Sequence, residues 1–267
     1  MRTISVLRKL TYGMFASTTD LLLWLIYLSG ASIGKTGSRG VYQAFREANK
    51  ELEEFNHHTL AMIWYHLRKK RLITYQKRNN LYNPTITEYG KKKLNQVIPT
   101  YQKKRPWDGK IYLITYDVSE IAHTKRDRMR RFLKDLGCKK LQESVWLNPY
   151  NIRQLVDKFV SKNKIPGTII ISDIGKDGGI GNTSLQYLLV KLYELEKLDE
   201  RYSEFIKKAT NHFLPLNLLL YHYLSILKYD PQLPFELLPN GFAGNKAFNI
   251  YKQLKNKYII TIKRPLR

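Results

Sequence analysis

Residues 111–116 of the chain read IYLITY, a short apolar run that follows a turn signal at residues 108–109 (DG). Such a run is typical of a buried strand. The pattern beyond it alternates, and the further predicted elements are a charged helix over 125–136 ended by Gly137, a strand over 141–147, a helix over 151–160 and a strand over 168–172. Strands that alternate with helices predict an α/β or α+β sandwich.

Two changes of pattern on either side of this sandwich predict domain boundaries. A basic segment with a proline, residues 102–106 (QKKRP), stops any helix that approaches from the N-terminal side. From Ser184 the spacing of leucines becomes helical, and the rest of the chain is helix-rich with a proline-containing loop over 230–239. We therefore predict an α+β multidomain chain with domains at 1–105, 106–183 and 184–267.

The first domain has the pattern of a winged helix-turn-helix. Helices are predicted over 20–28, 40–55 and 56–71, followed by strands over 73–76 and 81–84 and a short basic helix over 89–94. The turn between the strands, residues 77–80 (KRNN), contains two asparagines that tolerate positive φ. Three helices followed by a two-stranded wing predict a DNA-binding domain whose third helix enters the major groove.

The third predicted helix has an apolar inner face with Leu60, Ile63, Trp64 and Leu67. The candidate DNA contacts lie on the opposite face, at the end of the helix and in the wing turn; they are His57, Thr59, Met62, His66, Arg68, Lys69, Lys70, Arg71, Lys77 and Arg78. Basic residues also collect at the ends of solvated helices, because they complement the helix dipole. That reading stays open for residues 68–71.

The charge supports a polyanionic partner. The 267 residues contain 46 Lys and Arg against 22 Asp and Glu, a formal net charge of +24, and residues 1–105 hold 19 of the basic and 6 of the acidic residues. Nucleic acid is the partner that such a folded polycation indicates. The single cysteine, Cys138, excludes an intrachain disulfide and a multi-cysteine zinc site, so we expect a cytoplasmic location.

Two apolar stretches test for a membrane or export segment. Residues 21–28 (LLLWLIYL) follow a basic start, as in a secretory signal, but Asp20 before them is typical of a helix N-cap, and the run is far shorter than a membrane span. Residues 213–227 are interrupted by Pro215. We expect both to be buried helices, and no membrane partner.

Several segments together resemble the PaaX-like family of bacterial repressors, named for the control of phenylacetate breakdown. They are residues 107–118, 124–137, 141–150, 188–205 and 230–239, the last followed by Gly241, Gly244 and Ala247. The resemblance implies an N-terminal winged helix on operator DNA, a central ferredoxin-like domain, a helical C-terminal domain and a homodimer. Phe242 stands where the family pattern has tryptophan, and the N-terminal segment matches only in layout. A small-molecule effector is implied without an identity.

The central segment is also similar to the small nuclease subunit of CRISPR adaptation, in which the first strand ends in Tyr-Asp. Asp117 matches the acidic position linked there to metal-dependent cleavage, and Mg²⁺ prefers such oxygen ligands. An aspartate at a strand end also caps helices or pairs with arginines such as Arg126, Arg128 or Arg131, and no second acidic residue stands at a supporting spacing. The glycine-rich residues 175–181 lack the order of a P-loop or dinucleotide site.

These observations lead to one function and two rivals. We expect a sequence-specific DNA-binding transcription regulator, a repressor without a cofactor, that binds a near-palindromic operator as a homodimer. The rivals are a metal-dependent nuclease or CRISPR-adaptation accessory protein using Asp117, and an RNA-binding protein. Trp146 and Tyr116 are candidates for either the dimer contact or the core.

Overall fold

The computed structural model describes residues 62, 65–78, 81–119, 122–175, 184–211, 214 and 216–263. The strands in these residues are β1 Ile73–Arg78, β2 Leu81–Ile86, β3 Ile111–Asp117, β4 Lys139–Gln142, β5 Val145–Asn148 and β6 Thr168–Ile174. The helices are α1 Glu88–Val97, α2 His123–Asp135, α3 Arg153–Asn163, α4 Leu185–Leu192, α5 Leu195–Thr210, α6 Leu216–Leu227 and α7 Gly244–Lys263, and a 3-10 turn covers Phe235–Leu237. The predicted helices 20–28 and 40–55, together with His57, Thr59 and residues 176–181, lie outside the described residues.

The chain folds into two compact units, and both are discontinuous in sequence. The sheet unit consists of residues 102–200 and 231–242. The helical unit consists of residues 1–101, 201–230 and 243–267. This division into two units does not test the three domains predicted from the sequence, which stay a prediction.

The sheet unit contains a four-stranded antiparallel sheet with the order β4-β5-β3-β6. Along the chain its elements run β3-α2-β4-β5-α3-β6, which is the β-α-β-β-α-β arrangement of ferredoxin-like domains. In the central strand Ile114 lies opposite Trp146 of β5 on one side and Ile171 of β6 on the other. The predicted α+β class and ferredoxin-like centre are confirmed.

The core of the sheet unit lies between one face of the sheet and helices α2 and α3. Ile114 and Tyr116 point there from alternate positions of β3, and Trp146 joins them from β5. Phe132 of α2 stacks on Phe159 of α3 with ring centroids 3.7 Å apart. Because Trp146 is only 1% exposed and Tyr116 is also buried, both belong to the core and neither is an exposed anchor for a second copy.

The single strand predicted over 141–147 is wrong, because the structure has two strands there. β4 and β5 pair with each other antiparallel, with a register shift between Lys140 and Gln142, and Glu143 and Ser144 connect them. Glu143 forms ion pairs with Lys140 at 2.5 Å and with Arg130 at 2.9 Å. The polar connection was hidden in the sequence, because apolar residues alternate with polar ones on both sides of it.

Arg105 holds two distant parts of the sheet unit together. It lies in the basic segment 102–106 that was predicted as a domain boundary, yet its side chain is only 5% exposed. The guanidinium donates to the carbonyl of Leu233 at 2.9 Å and lies 4.6 Å from the ring centroid of Phe235. Tyr150 adds a bond from its hydroxyl to the carbonyl of Gln232 at 2.9 Å. The proline-rich loop over 230–239 is thus anchored, largely by one buried cation.

The helical unit has an aromatic core built by the C-terminal part of α5 with α6 and α7. Tyr223 stacks on Tyr251 with centroids 4.3 Å apart and packs on Phe205 at 5.5 Å. The hydroxyl of Tyr202 donates to the buried carboxylate of Asp230 at 2.8 Å. Residues 218–227 of α6 are buried, as predicted for the second apolar stretch. No helix among the described residues is long and apolar enough to cross a bilayer.

Buried His222 gives this unit a predictable pH response. Its side chain packs edge-on against Phe205, its Nδ1 atom accepts and donates no hydrogen bond, and the residue is 7% exposed. The pKa of His222 is lowered from 6.5 to about 4, first by burial and then by the charges of Lys208 and Arg201, which outweigh the opposite effect of Glu204. The folded state therefore binds a proton there less readily than the unfolded chain.

We predict that the free energy of unfolding is fully retained above pH 6.5 and falls as the pH drops from 6.5 towards 4. The slope from this group is at most about 1.4 kcal/mol per pH unit. Urea denaturation of wild-type protein and of His222→Gln, which does not titrate, should show stabilities that diverge between pH 6.5 and 4 and run parallel above 6.5. Identical pH dependence in both proteins would contradict the assignment.

Candidate nucleic-acid interface

The predicted recognition helix is described at its C-terminal end, where it stops in a defined way. Residues 65–69 are helical, and the backbone N–H groups of Arg71 and Leu72 donate to the carbonyls of Arg68 and Leu67, both at 2.9 Å. This is the Schellman pattern, which leaves the residue after the cap in the left-handed region. Leu67 and Leu72 are both buried, which supplies the apolar contact that accompanies the pattern.

Arg71 occupies the left-handed position, with φ of 55°. Glycine is the usual residue there because a side chain costs roughly 1 kcal/mol in this conformation. Arg71 is exposed, and it lies where the helix ends, two residues before β1 begins. A cation at a strained, exposed position is an observation that points to function.

The two strands predicted to form a wing pair as an antiparallel hairpin, β1 with β2. Each strand is two residues longer than predicted, and the pairs run from Ile73 opposite Ile86 to Arg78 opposite Leu81. The placement of Lys77 and Arg78 in the turn is therefore wrong: both lie in β1. The β-branched residues Thr85 and Ile86 extend the second strand, because such residues favour extended backbone.

Helix α1 follows this hairpin and is fixed to the end of the predicted recognition helix. Thr87 caps α1 by accepting a bond from the N–H of Gly90 at 2.9 Å, and its hydroxyl donates to the carbonyl of Arg71 at 2.7 Å. Gly90 leaves room for the backbone of Leu72, since a Cβ atom there would lie 2.1 Å from the Leu72 carbonyl oxygen. The predicted basic helix is confirmed, with Lys91, Lys92 and Lys93 in α1.

The candidate contacts whose side chains the structure describes are all exposed. They are Met62, His66, Arg68, Lys69, Lys70 and Arg71, whereas Leu67 of the predicted inner face is fully buried. Their role in binding stays a prediction. Sequence reasoning missed Tyr65, which is 54% exposed beside His66 and has the Lys69 ammonium 5.7 Å from its ring centroid. The spacing of four residues between Tyr65 and Lys69 was the available signal.

Asp117, the catalytic candidate of the rival function, lies at the exposed end of β3 opposite Thr168. A Cβ atom on Gly167 would lie 1.9 Å from the Asp117 carbonyl oxygen, so β6 begins directly against this strand end. Within the described part of the chain, no three His, Cys, Asp or Glu side chains form a group that could hold a metal ion. Asp117 stays a candidate by its sequence position alone.

The comparisons with known proteins agree with this arrangement. Residues 104–184 match the model of the PaaX protein central Cas2-like domain, and residues 192–261 match the model of the PaaX-like protein C-terminal domain. The chain belongs to the PaaX-like family.

One solved structure extends the likeness beyond these two PaaX-like domains. An uncharacterised protein from Mycobacterium tuberculosis, Rv0674, superimposes with a TM-score of 0.58 at 14% sequence identity, covering 93% of this chain and 100% of the other. At this identity the likeness concerns the fold alone. No curated protein matches the sequence at a significant level. The Cas2-like match explains why the central segment resembles the small subunit of CRISPR adaptation.

For this PaaX-like chain we predict that Gly90→Ala weakens the packing of helix α1 on the end of the predicted recognition helix. The added methyl must displace the Leu72 backbone, and overpacking of this kind costs roughly 1–3 kcal/mol. Urea denaturation should show this destabilisation. Gly175→Ala is the matched control, because a Cβ there meets no atom within 4 Å and should change stability little. Equal effects of the two variants would contradict the packing argument.

Proposed function

We propose that the chain is a sequence-specific DNA-binding transcription regulator, a repressor that binds a near-palindromic operator as a homodimer. One observation carries the proposal: an exposed, basic helix end runs directly into an antiparallel hairpin and a capped basic helix. This order of elements is the one expected for the second half of a winged helix, and membership of a regulator family supports the same assignment.

The exposed side chains suit two kinds of contact with duplex DNA, one with phosphates and one with bases. The cations at 68–71 supply charge for phosphate oxygens, which fix the position of a protein on DNA without reading sequence. His66 and Met62 lie on the exposed face of the helix, one turn apart, where side chains can meet base edges in the major groove. Tyr65 adds an exposed aromatic ring beside them.

The proposed homodimer is supported by a geometric argument. One winged helix reads a few base pairs, and two copies related by a two-fold axis gain affinity by binding two half-sites together. The sheet supplies a surface for this contact, because Leu113 and Thr115 of β3 and Ile170 of β6 face away from α2 and α3. Ile170 is 56% exposed, whereas Ile111 and Leu147 on the same face are fully buried, so the exposed part around Ile170 takes the place of Trp146 as the candidate contact. A small-molecule effector stays an expectation of the resemblance.

We expect full-length Lys69→Gln/Lys70→Gln protein to bind mixed-sequence duplex DNA more weakly and with less salt dependence than wild type. Removing one phosphate contact lowers the slope of log K against log[salt] by about 0.9. Lys197→Gln/Lys208→Gln removes the same charge from lysines that pair with Glu194 and Glu204, and should leave the slope unchanged. Wild-type protein without measurable duplex affinity at low salt would refute the proposal.

The dimer has its own test. Sedimentation of the full chain at micromolar concentration should give a dimer, and Ile170→Asp should shift it towards monomer, because a carboxylate would be buried at the contact. Leu155→Asp is the control, since Leu155 is a comparably exposed apolar residue on helix α3. A dimer that survives Ile170→Asp unchanged would place the interface elsewhere.

A further inference from the structure

The cations of the sheet unit differ in what they bind. One group pairs with carboxylates: Lys110 and Arg153 both contact Asp173, at 2.8 and 2.7 Å, and Arg130 and Lys140 both contact Glu143. A second group is held by neutral acceptors. Lys125 donates to the backbone carbonyl of Lys164 at 2.6 Å, and Arg128 donates to the side-chain oxygen of Asn163 at 3.1 Å.

These two neutral bonds bring four basic residues to one end of the helical layer. They join the first turns of α2 to the last turn of α3. Lys162 and Lys164 are exposed at this point, so we define the cation cluster as Lys125, Arg128, Lys162 and Lys164. Arg128 is exposed and Lys125 is half-buried, with its ammonium on the carbonyl.

The start of α2 opposes the ordinary preference of a helix. The first turn contains Lys125 and no acidic residue, and Ala122 at the cap gives no side-chain hydrogen bond. Carboxylates stabilise this end of a helix and cations destabilise it, by roughly 0.3–1 kcal/mol each. Lysines at the end of α3 agree with its dipole, so the dipole explains Lys162 and Lys164 but not Lys125. An anion bound at this end would offset the cost.

The described carboxylates nearest in sequence to the cation cluster form no described ion pair with it. Asp127 contacts Arg130 at 3.6 Å, and Asp157 lies more than a helical turn before Lys162 on α3. Glu120 lies outside the described residues. The cluster therefore keeps charge that the described ion pairs of the sheet unit do not neutralise.

We propose that the cation cluster is a second DNA-contact surface, which binds phosphate groups of the duplex backbone through the sheet unit. The inference rests on the proposed function and extends it, because the cluster lies on the Cas2-like domain and not on the winged helix. The cluster contains both Lys and Arg side chains, and such cations bind the phosphate oxygens of DNA without reading its sequence. The cluster adds affinity and salt dependence, while the recognition helix sets the sequence.

The test uses the full chain and a mixed-sequence duplex, with affinity measured over a series of salt concentrations. Lys162→Gln/Lys164→Gln changes two exposed residues and should lower the slope of log K against log[salt] by about 0.9 for each phosphate that the variant no longer binds. Lys110→Gln/Lys140→Gln removes the same charge from carboxylate-paired lysines of the same unit and should leave the slope as in wild type. Adding Arg128→Gln to the first pair should lower the slope again.

The outcomes separate the two proposals. Wild-type protein that does not bind the duplex refutes the proposed function and this inference together. Wild-type binding with an unchanged slope in Lys162→Gln/Lys164→Gln refutes the inference alone. Equal changes in the cluster and control variants also refute it, because they would show a response to net charge and not to this surface. Circular dichroism and the urea midpoint of each variant establish that the fold is retained.

Discussion

The central strand β3 is the constraint on which the sheet unit depends, because it pairs with both β5 and β6 along its length. A strand exposes alternate residues on opposite faces, so a slip of one residue would exchange them. In the observed register Ile114 and Tyr116 enter the core, and Leu113 and Thr115 face the other way. The same register therefore directs one face of the sheet to helices α2 and α3 and places the exposed Ile170 of β6 on the opposite face, where the dimer contact is proposed.

Charge alone does not identify the binding surfaces of this molecule. Arg105 belongs to a basic segment but is buried against Leu233 and Phe235, where it stabilises a loop. Lys110 and Arg153 share Asp173, and these contacts lower the pKa of the Asp173 carboxyl, the hydrogen bonds with Lys110 and Arg153 being the first causes. Lys125 and Arg128 differ from both groups: their partners are neutral, unlike those of Lys110 and Arg153, and their side chains reach solvent, unlike that of Arg105. A sequence shows the number of cations, and the fold shows which of them are already paired.

Much of the fold could be predicted from periodicity, because buried positions recur with the period of each element. The strand at β3, the helix ended by Gly137, the cap at Thr87 and the buried helix α6 all follow from local pattern. The connection at Glu143 and Ser144 could not be predicted in this way, since the apolar alternation continues across it. The positive φ of Arg71 was also out of reach, because it depends on where the helix ends. For Tyr65 the sequence offered only the four-residue spacing from Lys69.

Local preference fails at several described places, and some of them present cations to solvent. Arg71, like Lys164, Glu194 and Gln232, adopts a conformation that suits glycine, and α2 begins with Lys125 in its first turn and without a side-chain cap. The left-handed conformation costs roughly 1–2 kcal/mol and the misplaced cation roughly 0.3–1 kcal/mol, against a total stability of roughly 5–15 kcal/mol for a domain of ordinary size. The buried sheet core and the aromatic core can tolerate such costs. Substitutions that relieved the strain would remove cations from the two surfaces that we assign to phosphate, so stability and DNA affinity should oppose each other at these residues.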